Sequence, residues 1–184
     1  MFKKRLAVVT SLILIFMGVC GSAQAVDIFV SADAIKGEAN SRSYVDKIEV
    51  NSFNLEIKSS LTSGPVKGAS KVNFPAFKLT KKVDLSSNQL LTSLVTGKII
   101  KSFVVDFVRS DGAGSDFVYL RHTFSDVTAS DYSFLVNKED EEGGVETISF
   151  VYSKISTEYF YQDRAGKKVS GPKFGFDLGA NKLL

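Results

Sequence analysis

Along most of this chain apolar side chains recur at every second position, the period of a strand with one buried face. Residues 26–34 place Val26, Ile28, Val30, Ala32 and Ala34 on one parity. Residues 44–58 read as a longer strand whose parity changes: Ile48 and Val50 are even, but Phe53, Leu55 and Ile57 are odd. One strand cannot bury both sets on one face, so the pattern predicts a bulge or a change of sheet near Ser52. Further strands are predicted over 72–79, 99–109, 116–124, 127–136, 145–161 and 173–178, the last with Phe174, Phe176 and Leu178 on one face. Pro75 cannot donate to a ladder and places the 72–79 strand at an edge. Gly37, Asp111-Gly112-Ala113-Gly114, Glu142-Gly143-Gly144 and Ala165-Gly166 supply the turns between these runs.

One segment has the helical period instead. Ser86-Ser87-Asn88-Gln89 opens with the spacing of a capping box. Leu90, Leu91, Leu94 and Val95 then fall on one side of a helix, and Gly97 can take the left-handed conformation that ends it. The pattern predicts a mainly β protein: a β-barrel of two packed antiparallel sheets with one short flanking α-helix.

The first 25 residues do not share this pattern. Lys3, Lys4 and Arg5 precede a nearly unbroken apolar run over 6–19, and Ala23-Gln24-Ala25 follows. A basic head, a short apolar core and a small-x-small site make a secretory signal, with cleavage expected between Ala25 and Val26. The apolar core is shorter than the ~20 residues of a membrane span, so no stable membrane insertion is expected after cleavage. Residues 26–184 then form a single domain.

Charge and cysteine content agree with export. Removing the leader leaves 20 basic against 20 acidic residues. A nucleic-acid binder needs a basic surplus to neutralise phosphates, so nucleic acid is not an expected partner. The one cysteine, Cys20, lies inside the leader. Val19 before it is a poor fit to a lipid attachment site.

Catalytic chemistry has little support. His122, the only histidine, sits within a strand between Arg121 and Thr123. It has no neighbouring nucleophile or carboxylate to form an acid–base pair. Metal-protease, cysteine-cluster and nucleophile-elbow motifs are absent. Gly112-Ala113-Gly114 lies in a hairpin rather than between a strand and a helix. The acidic run Glu139-Asp140-Glu141-Glu142 lacks the ligand spacing of a calcium loop and reads as a solvated turn. Tyr159, Phe160 and Tyr161 read as core and interface residues. No enzyme activity and no cofactor are expected.

Several stretches, in order, are similar to a known family. They are Val26-Asp27-Ile28-Phe29, Ile35-Lys36-Gly37-Glu38, Asp46-Lys47-Ile48-Glu49-Val50 and Ser52-Phe53. The helix region follows, from Val83-Asp84-Leu85 to Thr96-Gly97-Lys98. Then come Tyr119-Leu120, Ser125-Asp126-Val127, residues 146–155, Tyr159 and Gly175-Phe176-Asp177-Leu178. The chain resembles the Hcp (haemolysin-coregulated protein) family, which forms the inner tube of the bacterial type VI secretion system. Members often carry His where Tyr44 stands and Trp at Phe53 and Phe176. Replacing Trp by Phe keeps an apolar ring and loses an N–H donor.

The resemblance implies a β-barrel that closes into a homohexameric ring with a wide pore. It implies stacked rings and a secreted effector or tip protein as possible partners. The 59–70 loop, with Ser59, Gly64, Pro65 and Gly68, would reach an adjacent subunit or ring, and Asn54 would lie near the pore. Two functions stay open. The first is a structural type VI tube subunit, which requires the leader to be inefficient or translation to start at Met17. The second is an exported stand-alone ring acting as a periplasmic or extracellular binding module.

Overall fold

A computed structural model describes residues 26–41, 43–60, 71–110, 116–138 and 143–184. Strand β1 (Val26–Ala32) lies between β2 (Ile48–Val50) and β7 (Ile100–Ser110), antiparallel to both. Strand β7 pairs with β8 (Asp116–Leu135), β8 with β10 (Lys154–Gln162), β10 with β11 (Lys168–Asp177), and β11 with the short β12 (Lys182–Leu183). These strands form sheet A. Sheet B runs β3 (Ser52–Asn54), β6 (Phe77–Lys82), β9 (Val145–Val151) and the second half of β8. Strands β4 (Lys58–Ser60) and β5 (Lys71–Asn73) make a separate two-stranded ribbon.

The architecture is the two packed antiparallel sheets with one flanking helix expected from sequence, and the barrel they make is not closed. Among the described residues the sheets share β8, whose first half pairs with β7 and β10 and whose second half pairs with β9. Sheet A therefore runs on past the shared strand through β10 to β12. On the other side the chain itself crosses from β2 in sheet A to β3 in sheet B at Asn51, whose N–H donates to the Thr80 carbonyl at 2.8 Å. This is the sheet change that the parity switch near Ser52 predicts.

Other boundaries differ for physical reasons. Residues 116–135 form one strand rather than two, because Asp126 adopts φ 50° and carries β8 around the corner between sheets without ending it. The 145–161 run is broken at Tyr152-Ser153, where the chain passes from sheet B to sheet A. Pro75 lies between β5 and β6, outside both, so β6 is free to be an interior strand of sheet B between β3 and β9.

Helix α1 (Ser87–Thr96) packs on β8. It ends at Gly97, φ 64°, with the Lys98 N–H donating back to the Ser93 carbonyl. Two expectations about the helix fail. The capping box does not form, because the Ser86 backbone is already helical and its hydroxyl turns to the Asp84 carboxylate. That carboxylate also accepts the Ser86 N–H at 2.8 Å and serves as the cap. The buried stripe is Ser87, Leu90 and Ser93, while Leu91 and Val95 face outward.

The core lies between the sheets. Sheet B contributes Phe77 and Phe150, and sheet A contributes Phe103 and Phe124, all fully buried. Phe77 stacks on Phe124 at 4.2 Å between ring centroids, and Phe103 meets Phe150 at 5.0 Å. Burying such rings is worth about 2–3 kcal/mol each, and the pairs add specificity of orientation.

Candidate assembly surfaces

The antiparallel register of sheet A stacks residues into rows. Phe29, Asp106, Arg121, Glu158 and Lys173 stand opposite one another across β1, β7, β8, β10 and β11. This outward row is a ladder of alternating charge. Arg121 holds Asp106 with two hydrogen bonds, Nε to Oδ1 at 2.6 Å and an Nη to Oδ2 at 2.7 Å. Lys173 pairs with Glu158 at 3.0 Å. The Asp106 hydrogen bonds raise the Arg121 pKa further, and the Lys173 hydrogen bond holds the Glu158 carboxyl below the usual range. At the β1 end Tyr44 stacks on Phe29, with centroids 4.3 Å apart, and donates to Asp106. Burial and the Asp106 charge push the Tyr44 phenol pKa up. Two rows along, Lys154 pairs with Asp177 at 3.1 Å.

The inward rows behave differently. His122 follows Val105 and precedes Thr157 and Phe174 in one of them. Its Nδ1 lies 2.9 Å from the Thr157 hydroxyl, and its ring stacks on Phe53 and meets Phe107 edge-on. Burial pulls its pKa down to about 4. His122 is thus a half-buried side chain packed between β8, β10 and β3. Beyond it the inner face of the β10–β11 hairpin outruns the core, leaving Phe174, Tyr159 and Tyr161 exposed.

A second charged group is buried under α1. Lys81 and Glu146 are direct cross-strand partners in β6 and β9, and both side chains are 0% exposed. The Lys81 ammonium reaches Glu146 at 2.6 Å, Asp84 at 2.7 Å and the Lys82 carbonyl at 2.7 Å. Ser87 donates to Glu146 at 2.7 Å, and Tyr132 closes the other carboxylate oxygen at 3.1 Å. The cluster fixes the start of the helix to both sheet B and the strand shared by the sheets.

Among the sequence-predicted site residues, Val26 is the first residue of β1, half-exposed and paired with Arg109. Ala23 and Ala25 lie outside the described residues, as do Gly64, Pro65 and Gly68. Ser59 is exposed in β4, opposite Val72, and Asn54 is exposed at the end of β3, opposite Lys78. Nothing brings Asn54 and Ser59 together into one site. Phe53, where the family often has Trp, contacts Phe77, Phe107, His122 and Phe124. Phe176 stacks on Phe74 at 4.9 Å. Among the described residues no group of three or more His, Cys, Asp or Glu is placed to hold a metal ion, and no helix is long and apolar enough to cross a membrane.

Sequence reading missed both charged groups. The buried one leaves a signal: Lys81 has the parity of Phe77 and Leu79, and Glu146 that of Ile148 and Phe150. A charge at an inward position on each of two strands needs an internal partner. The outward ladder leaves none, because it depends on the register of four strands.

The fold is a two-sheet β domain with a flanking helix, a charged outer face and exposed apolar side chains at several edges. The family described as "Type VI secretion system effector, Hcp" matches residues 29–159. The chain belongs to the Hcp family and is an Hcp-like tube or ring subunit of type VI secretion. It is 27% identical over 160 residues to Protein hcp1 of Pseudomonas aeruginosa, covering 85% of this chain and 98% of that protein. The crystal structure of Hcp1 from Salmonella typhimurium is 26% identical and superposes with a TM-score of 0.70, covering 87% of this chain and 99% of the other. A further solved structure, of a type six secretion system protein, shares the fold with a TM-score of 0.79 at 24% identity, covering 87% of this chain and all of the other.

Proposed function

We propose that the chain is exported, cut after Ala25, and closes with five copies of itself into a ring. The ring serves as a structural conduit or holder for a small secreted protein rather than as a catalyst. The observation that carries this reading is the pair of unmatched apolar surfaces on one protomer. Leu85, Val95 and Ile99 are exposed around the helix, and Phe134, Leu135 and Val136 are exposed at the end of β8. A monomer rarely leaves two such groups in water, and two different surfaces on one subunit are what a head-to-tail ring uses.

The leader favours a ring that works outside the cytoplasm, since a tube assembled in the cytoplasm would need the unprocessed chain. Native mass spectrometry on protein from fractionated cells tests both parts. Six-fold particles whose subunits start at Val26, found in the periplasm or medium, are expected. A monomer would refute the ring. Six-fold particles with an uncut leader in the cytoplasm would return the protein to an ordinary tube.

A further inference from the structure

The buried charges of sheet B reach toward both apolar surfaces of the subunit. Lys81, Glu146 and Phe134 stand opposite one another across β6, β9 and β8. The first two are fully buried, and the third is half-exposed at the end of β8 beside Leu135 and Val136. At the other end of the cluster, Asp84 and Ser87 bracket the exposed Leu85 where α1 begins.

Glu146 is the junction between the two ends. Its Oε1 takes the Lys81 ammonium at 2.6 Å and the Ser87 hydroxyl at 2.7 Å, and its Oε2 takes the Tyr132 hydroxyl at 3.1 Å. The Ser87 oxygen in turn accepts the Asp84 N–H at 3.0 Å, and Lys81 bridges to the Asp84 carboxylate at 2.7 Å. A continuous chain of polar contacts therefore runs from the start of α1 to β8. Lys81 and Glu146 have no exposed surface, so water cannot replace a partner lost at one end, and the loss weakens the hold at the other. Helix α1 is the element with two states. Its buried positions are Ser87, Leu90 and Ser93, one large apolar side chain in ten residues. A helix this short does not hold together by itself in water, so its first turn is ordered or frayed according to its polar anchor.

We propose that the cluster couples the two apolar surfaces, so that ordering the start of α1 orders the end of β8, and the reverse. The effect is reciprocal, because one free energy links the two ends. Its use rests on the ring reading above: a subunit engaged at one surface presents the other already ordered, which makes ring closure cooperative.

Amide exchange on the full chain, purified as the cell processes it, tests the coupling within the subunit. Ser87→Ala cuts the helix-side bond to Glu146, and Tyr132→Phe cuts the strand-side bond. Ser87→Ala is expected to speed exchange over residues 132–135 at least about tenfold, and Tyr132→Phe to do the same over Ser87–Thr96. The pairing of β1 with β7 at Val30 and Val105 should exchange at the unaltered rate. In a background carrying Lys81→Met and Glu146→Leu the junction is gone, and Ser87→Ala should no longer reach the end of β8. Acceleration confined to the mutated side would overturn the coupling. Equal acceleration in β1 and β7 would also overturn it, as the mark of lost global stability rather than of a link. Tyr132→Phe removes one hydroxyl and keeps the ring, so its result stands by itself if Ser87→Ala does not fold. Exchange is read inside one subunit, so its outcome is separate from the six-fold count in native mass spectrometry that decides the ring.

Discussion

The ladder on the outer face of sheet A and the cluster beneath α1 are built from the same residue types, and burial separates them. Asp106 in the ladder is also buried, but at the ladder's far end the Lys173 side chain is 65% exposed, and water shares the work of solvating its charge. In the cluster Lys81 and Glu146 are fully buried, and every favourable contact must come from the protein. Desolvation of an ion costs several kcal/mol, which its partners must offset. Four acceptors around one ammonium do so here. The lesson is that an exposed ion pair is replaceable, whereas a buried one makes each of its members indispensable to the others.

The sharpest way to break the comparison is Lys81→Met. Loss of the cation leaves Glu146 and Asp84 facing each other without their shared partner, and a loss of about 3–5 kcal/mol is expected in urea unfolding. Adding Glu146→Leu should return part of that loss, because the second substitution removes the stranded carboxylate. A double variant that loses the full sum of the two single costs would show the residues to be independent. Helix α1 should loosen first, since Asp84 and Ser87 anchor its start, and amide exchange across Ser87–Thr96 would report it.

His122 stands between the two extremes, half-buried with a hydrogen bond to the Thr157 hydroxyl. Its pKa is about 4 in the folded chain against an ordinary 6.5. Between those values the unfolded chain binds more protons than the native one. The contribution is therefore complete above pH 6.5 and is lost as pH falls through about 4. Allowing for its partial contact with water, about 2 kcal/mol is expected to disappear over that window. The groups facing its ring are Phe53, Phe107, Phe124 and Thr157, with no carboxylate among them to hold the proton. His122→Phe should flatten the pH profile of unfolding in this range, and an unchanged profile would assign the acid sensitivity to other groups.

Tyr152 takes the contrast to its limit. Its hydroxyl is buried with no hydrogen-bond partner among the described residues, and burial pushes its pKa up to about 12. The ring packs edge-on against Phe124 at 4.9 Å. Tyr152→Phe keeps that contact and removes an unsatisfied group, so a gain of about 1 kcal/mol is expected. A loss of stability on chemical denaturation would mean that the hydroxyl has a partner in solution.

Sequence reading recovered what depends on one strand at a time. Alternation located β1, β7 and the second half of β11, and the parity switch between Val50 and Phe53 located the passage between sheets. It failed where two strands decide together. Nothing local distinguishes the bend at Asp126 from a chain break, because the continuity of β8 depends on β9 and β10 pairing with its two halves. Leu91 and Val95 are as apolar as Leu90 and Leu94, and only the orientation of α1 on β8 decides which pair is covered. The acidic run Glu139-Asp140-Glu141-Glu142, expected to be a solvated turn, lies outside the described residues.

The smallest effect belongs to the exposed end of the ladder. Lys173→Ala removes a pair whose cation is mostly in water, and a change within about 0.5 kcal/mol is expected. Glu158 keeps a hydrogen bond from the Ser170 hydroxyl at 2.8 Å and faces Arg121 in the register, so it is not stranded. The effect should shrink further in high salt, because screening acts on exposed charges. If Lys173→Ala instead cost as much as Lys81→Met in the assembled protein but not at dilutions where it is monomeric, the outer face of sheet A would be covered by a neighbouring copy. Water would then be excluded from both charged groups, and the difference between them would belong to the isolated subunit alone.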